Sequence, residues 1–309
     1  MRDLGPQSLY DAACDGRAVG AFSTYTMEQT QAICLAAEEA GQPVIIQAGA
    51  SAFAHSRLAE LGPQALLAAD LARVRVGVHL DHSRDLAQVR AALEAGYTSV
   101  MVDGSHLPFE DNVAMTSAAV VAARTHGAWV EGELGAVPGH EDRSVVTASG
   151  AAADLTDPAL AEQFVARTGV HALAVAVGNV HGTAHEARPL DLDLLRRLHA
   201  VVDRPLVLHG ASGLPSHELH AARALGVAKV NVNTELRAAF LGALERGLPT
   251  ARPAVDLAVL LGAARDAVRA VVLAVIHELS DPVPVSLAVA APHTLPRPPT
   301  PSVPLHPSK

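Results

Sequence analysis

Residues 75–103, RVGVHLDHSRDLAQVRAALEAGYTSVMVD, hold the pattern that decides the fold. An apolar run, Arg75–Leu80, gives way to polar residues and then to Asp85–Glu94, where Leu86, Val89 and Leu93 recur at helical spacing. Ala95-Gly96 supplies the glycine expected just past a helix end, and a second apolar run, Ser99–Asp103, follows. Working outward, the same alternation repeats. Further strands are predicted at Val19–Ser23, Pro43–Ala48, Trp129–Leu134, Ala172–Val177, Pro205–His209 and Lys229–Asn233. Helices are predicted at Glu28–Ala40, Asn112–Thr125, Pro158–Thr168, Asp191–Val201 and Ser216–Leu225, with Asp157, Asp191 and Ser216 as N-cap candidates. Buried strands alternating with helices point to an α/β chain with a closed parallel sheet, a (β/α)8 TIM barrel. An open doubly wound sheet is the other arrangement the pattern allows.

The chain has 309 residues, within the size of a single α/β barrel, so residues 1–280 are expected to form one domain. After Ser280 nine prolines fall within residues 281–309, and a stretch of that composition is expected to be a disordered tail. A net charge of −9 without a basic cluster argues against a nucleic-acid partner. The sparse Cys14 and Cys34 suit a reducing compartment rather than a disulfide framework. The opening MRDLGPQSLYDAACDG lacks the blocks of a secretion signal, and the most apolar segment, around Val255–Ile276, is broken by charges, as in an amphipathic helix. A cytoplasmic protein without a membrane partner is expected.

In a parallel barrel the active site lies where the strands end. Strand three ends in His79-Leu80-Asp81-His82, strand four in Asp103-Gly104-Ser105-His106, and strand five carries Glu131-Gly132-Glu133. Strand six runs into Asn179-Val180-His181-Gly182, strand seven into His209-Gly210-Ala211-Ser212-Gly213, and strand eight gives Asn231-Val232-Asn233-Thr234. Any one histidine there could simply satisfy a buried polar group. His82, His181 and His209, at three corresponding strand ends, match the catalytic zinc pattern of three protein ligands and one open position. Gly182, Gly210, Ala211 and Ser212 offer backbone N–H groups and a hydroxyl to a phosphate, with Asn231 and Thr234 as further donors. The segment Gly135–Asp154 is long for a connection of this kind and reads either as a lid or as a disordered loop.

These motifs together resemble the class II, metal-dependent ketose-bisphosphate aldolases. Val78–His82 and Val130–Gly135, the latter followed by Gly139-His140-Glu141, carry the match most specifically, and order and spacing agree from about residue 8 to residue 278. The resemblance implies zinc on His82, His181 and His209, and a second divalent or monovalent cation near Asp103 and Glu133. It implies that Gly182, Gly210, Ala211, Ser212, Asn231, Val232, Asn233 and Thr234 hold the dihydroxyacetone phosphate end. Asp81 would protonate the aldehyde oxygen, and Glu141 would remove the proton from the ketose carbon. A metal that polarises the carbonyl makes a Schiff-base lysine unnecessary, and neither Lys229 nor Lys309 is placed for that role.

The implied reaction is reversible cleavage of a ketose 1,6-bisphosphate, fructose or tagatose type, to dihydroxyacetone phosphate and glyceraldehyde 3-phosphate. Homodimers or homotetramers are implied as well, with the helix around Ala254–Leu279 as a candidate interface. Four departures from the family pattern stand out: Ser23 after Phe22, Pro138, the segment Thr183–Arg188 without Tyr or Lys, and Asn233. Two alternatives stay open: an aldolase for another phosphorylated keto sugar or keto acid, as in inositol catabolism, and a non-catalytic sugar-phosphate-binding barrel.

Overall fold

The alternation of short β-branched runs with capped amphipathic helices folds into a ring. A computed structural model describes residues 4–138, 154–182 and 189–283. Its strands are β1 (Val19–Ser23), β2 (Val44–Ala48), β3 (Val76–Ser83), β4 (Ser99–Val102), β5 (Trp129–Leu134), β6 (Ala172–Val175), β7 (Leu206–Leu208) and β8 (Val227–Val232). They close in sequence order, every neighbouring pair parallel, with β8 returning to β1. The helices are α1 (Pro6–Cys14), α2 (Met27–Ala40), α3 (Ala50–His55), α4 (Leu58–Leu71), α5 (Leu86–Ala95) and α6 (Phe109–Arg124). They continue with α7 (Pro158–Thr168), α8 (Leu192–Val201), α9 (Ser216–Ala224), α10 (Thr234–Ala254) and α11 (Leu257–Ser280). This is the closed TIM barrel; the open sheet is excluded.

Side chains alternate along each strand, so the barrel has two cores. Outward-facing Val44, Ile46, Val78, Val100 and Val130 join the helices in one large apolar cluster. Inward-facing Val19, Ala21, Ile45, Met101, Trp129, Ala172 and Val207 fill the lower lumen, and Leu4, Leu9 and Ala12 of the N-terminal segment close it from below. The Trp129 indole N–H donates to the Leu4 carbonyl at 3.0 Å, which ties the plug to β5. Above this floor the lumen turns polar, and that change positions the site.

Asp157 and Asp191 cap α7 and α8 as expected, accepting from the backbone N–H of Leu160 and Leu194 at 2.9 and 2.8 Å. Ser216 does not cap: it is the first residue of α9, and Pro215 precedes it without a side-chain cap. Strand ends also differ from the sequence expectation. β3 continues past Leu80 to Ser83, β7 stops before His209, and β8 starts at Val227. The Pro-rich segment lies, from residue 284 on, outside the described residues.

Candidate active site

Asp81 and His82 are consecutive, so in a regular strand their side chains would face opposite sides of the sheet. β3 avoids this with a register shift between Leu80 and Ser83, and His82 takes a left-handed φ of 42°. That conformation is costly for a residue with a Cβ, and it is kept where neighbouring contacts enforce it. Both side chains therefore reach one cavity of about 510 Å³, whose wall also includes Tyr25, Arg84, Asp103, Glu133 and His181.

His82 and His181 line this cavity and His209 lies buried beneath it, with one ring nitrogen of each within 4.8 Å of the others. His82 Nε2 lies 2.8 Å from His209 Nδ1. The tautomer of His209 follows from its surroundings. The Lys229 ammonium, which can only donate, holds Asn231 Oδ1 at 2.8 Å. The Asn231 amide N–H must then point to His209 Nδ1 at 3.0 Å, so that nitrogen accepts. The other ring nitrogen, Nε2–H, donates to Glu131 Oε1 at 2.7 Å. Burial drives the His209 pKa down to about 4, the charge of His82 adding to the effect against the pull of Glu131. A neutral imidazole with its N–H on a carboxylate is the tautomer in which histidine binds a metal through its other nitrogen, which Asn231 would give up to the ion.

Beneath the histidines lies a buried charged layer. Glu131 sits within 2.8 Å of the Lys229 ammonium and 3.7 Å of His79 Nε2, all three fully buried. Burial raises the Glu131 carboxyl, but Lys229 and His209 outweigh it and hold the group well below the usual carboxylate range. His79 accepts or donates through Nδ1 at 2.8 Å from the Ser99 hydroxyl and stacks on Trp129, 5.5 Å between ring centres. Asp81 is braced from two sides: Gln47 Nε2 donates to Oδ2 at 3.2 Å and Asn231 Nδ2 to Oδ1 at 3.3 Å. Lys229 is thus committed to Glu131 and Asn231 inside the lumen, which agrees with its poor placement for covalent chemistry.

Asp103 and Glu133 flank His82, each with an oxygen 3.5 Å from His82 Nδ1. Burial raises the Glu133 pKa to about 7, with the nearby Asp103 charge adding to it and His82 and His181 opposing. Asp103 meets the same burial, but His82, Ser105 and Arg84 hold it well below the carboxylate range.

The donor set fits a zinc ion. Three imidazole nitrogens converge, one of them on a histidine fixed in the ligating tautomer. Glu133 Oε2 is buried without a hydrogen-bond partner among the described residues, so it is open to a further donor or ion.

On the side expected to hold phosphate, Gly210 has φ +57°, and a Cβ there would stand 2.5 Å from the Val180 carbonyl oxygen. Only glycine lets the turns carrying His181 and His209 approach this closely. Asn179 ties the same turns, its amide donating to the His209 carbonyl at 2.9 Å. Gly182, Ala211 and Asn231 lie in these turns or beside them. The Ser212 hydroxyl is turned away, donating to Glu235 at 2.7 Å, and Val232 points outward into the helix layer. Asn233 pairs with the Tyr25 hydroxyl at 3.1 Å, and Thr234 opens α10. The Pro138 carbonyl accepts the His181 N–H at 2.9 Å. Glu141, most of the expected lid, and Thr183–Arg188 lie outside the described residues.

Several contributors carry no role in the sequence reading. Glu131 and Lys229 were legible in principle, because Glu131-x-Glu133 and Lys229-x-Asn231 alternate and so share a lumen face. Gln47, Tyr25 and Arg84 had no such signal; Arg84 in particular depends on the β3 bulge.

Known proteins resemble this chain in sequence and in fold. A model of the family described as fructose-bisphosphate aldolase class-II matches residues 6–281. A fructose-bisphosphate aldolase of Geobacillus stearothermophilus is 39% identical over 282 residues, covering 90% of this chain and 97% of that protein. Among solved structures, the YdjI aldolase of Escherichia coli K12 is 31% identical with a TM-score of 0.78, covering 90% of this chain and 98% of that one. A fructose-bisphosphate aldolase of Campylobacter jejuni, at 21% identity and TM-score 0.72, covers 89% of this chain and 95% of its own and shares the fold.

Proposed function

The chain belongs to the class II fructose-bisphosphate aldolase family and is an aldolase, and on that premise we propose that one zinc ion on His82, His181 and His209 serves its reaction. The substrate we propose is a ketose 1,6-bisphosphate of the fructose or tagatose type, cleaved reversibly to dihydroxyacetone phosphate and glyceraldehyde 3-phosphate. The observation that carries this reading is the convergence of the three histidines beside the cavity that Asp81, His82 and His181 line.

Zinc bound there supplies a Lewis acid for the ketose carbonyl. Asp81, braced by Gln47 and Asn231, takes the proton of the hydroxyl next to the scissile bond during cleavage and returns it to the aldehyde oxygen during condensation. Glu141 exchanges the proton at the ketose carbon. The backbone N–H groups of Gly182, Gly210, Ala211 and Ser212, with Asn231, Val232, Asn233 and Thr234 at the start of α10, hold the phosphate of the dihydroxyacetone half. The Ser212 hydroxyl contributes nothing there while it is bonded to Glu235.

A second substrate reading, another phosphorylated keto sugar or keto acid, draws on one feature. Asn233 is tied to Tyr25 at the rim, where substrate stereochemistry would be read. Triose phosphate release from fructose and tagatose 1,6-bisphosphates and phosphorylated keto acids, assayed side by side with and without chelator, separates the readings. Preferred, chelator-sensitive turnover of a bisphosphate supports the first; turnover of a keto acid alone supports the second. Ligand binding without any turnover overturns both in favour of a binding protein.

Work in the cytoplasm is part of the proposal, and no described helix is long and apolar enough to cross a membrane. So is assembly into a homodimer or homotetramer, for which the exposed Leu241, Leu248, Val255, Leu257 and Val259 on and between α10 and α11 offer an apolar face.

A further inference from the structure

We infer that Arg84 stands in for a second cation at Asp103, so that this chain holds one metal ion where its carboxylate pair would otherwise invite another. The inference rests on the three-histidine zinc reading and deepens it. His82, Asp103 and Glu133 have ligand atoms within 4.8 Å of one another, a spacing that could hold an ion. Both oxygens of Asp103 are already engaged, however. Oδ2 accepts from Arg84 Nε at 2.9 Å, and Arg84 Nη2 stands 2.8 Å from it in an ion pair. Oδ1 accepts from the Ser105 hydroxyl at 2.6 Å and its backbone N–H at 3.2 Å.

The β3 bulge explains why an arginine reaches this carboxylate. Past the register shift Ser83 pairs with Val102, and the Asp103 N–H donates to the Ser83 carbonyl at 2.9 Å. The residue after Ser83 is thereby set beside Asp103. Its side chain is 61% exposed while that of Asp103 is 3% exposed, so the guanidinium closes the carboxylate off from the solvent side. Guanidinium does not lose its proton in proteins, which makes this charge permanent. An incoming ion would have to displace a charge-assisted hydrogen bond within an ion pair and then stand beside a fixed positive group. Of the carboxylate pair, Glu133 alone would be left to it.

The test counts ions. Zinc-loaded protein is dialysed to equilibrium against micromolar Mn2+, and zinc plus manganese per chain is measured by elemental analysis. The unaltered chain is expected to hold one ion. Arg84→Ala and Arg84→Gln, the latter keeping much of the side-chain stem, are expected to hold two. Adding Asp103→Asn to Arg84→Ala is expected to bring the count back to one. Two ions in the unaltered chain, or one in both single variants, overturns the inference while leaving the zinc site standing. An unaltered chain that holds no zinc overturns the zinc reading, and this inference with it.

Discussion

Lys229 does more at the scale of single residues than its place in mid-strand suggests. Its ammonium fixes the Asn231 amide and neutralises Glu131, and those two groups fix the two ring nitrogens of His209. Removing one member alone leaves a buried charge unpaired, at about 3–5 kcal/mol. The double variant Glu131→Gln/Lys229→Met avoids that and isolates the positioning role. Zinc affinity, measured by competition with a chelator, is expected to fall by about 10–100-fold while the barrel stays folded. Unchanged affinity would remove this role. Away from the site, His171 accepts the Val130 N–H at 3.1 Å, and burial lowers its pKa to about 4. In the unfolded chain it titrates near the ordinary value of 6.5. Between those values the unfolded state binds more protons, so stability is full above about 6.5 and is lost as pH falls towards 4. Urea midpoints of His171→Gln across that window are expected to fall less steeply than those of the unaltered chain. At this scale the grouping of His82, His181 and His209, proposed above as zinc ligands, was legible because they sit at strand ends. Gln47 and Arg84 were not, because their partners are distant in sequence or set by a bulge.

Two departures from regular geometry bring the chemistry together at the scale of elements. The β3 bulge turns Asp81 and His82 into one cavity, and Gly210 lets the turns after β6 and β7 touch. Gly210→Ala would meet the Val180 carbonyl in a conformation alanine avoids, costing about 1–3 kcal/mol from backbone strain alone. It is expected to lower both the urea midpoint and zinc affinity, since the strained turns carry His181 and His209. A loss of stability with affinity intact would confine the glycine to folding. Strand periodicity and the Asp157 and Asp191 caps were legible because each is written in a local pattern. The extension of β3 to Ser83 was not, since it depends on register against β4. Neither was Pro215 preceding α9 in place of a Ser216 cap, because the seryl hydroxyl gives the same local signal on either side of a helix start.

Across the whole molecule, the ring closes over an apolar floor sealed by the N-terminal helix, and the polar upper lumen faces the open end. The parallel α/β architecture was legible from the repeated strand–helix alternation, and the β8–β1 pairing decides for closure over an open sheet. The Tyr25–Asn233 contact across the β8–β1 seam was not legible, because its partners lie 208 residues apart. The apolar face around α10 and α11 gives a prediction at this scale. Leu257→Asp/Val259→Asp, both positions well exposed in the single chain, is expected to shift sedimentation velocity towards the monomer. An unchanged sedimentation coefficient would place any interface elsewhere. The most direct measurement is triose phosphate release from fructose and tagatose 1,6-bisphosphates by metal-stripped protein as zinc is added back. Turnover of one of them is expected to be absent without metal and to rise until about one zinc per chain is bound, as three ligands and an open position imply. Full turnover by the stripped protein, or none on either bisphosphate with the zinc site filled, would contradict it.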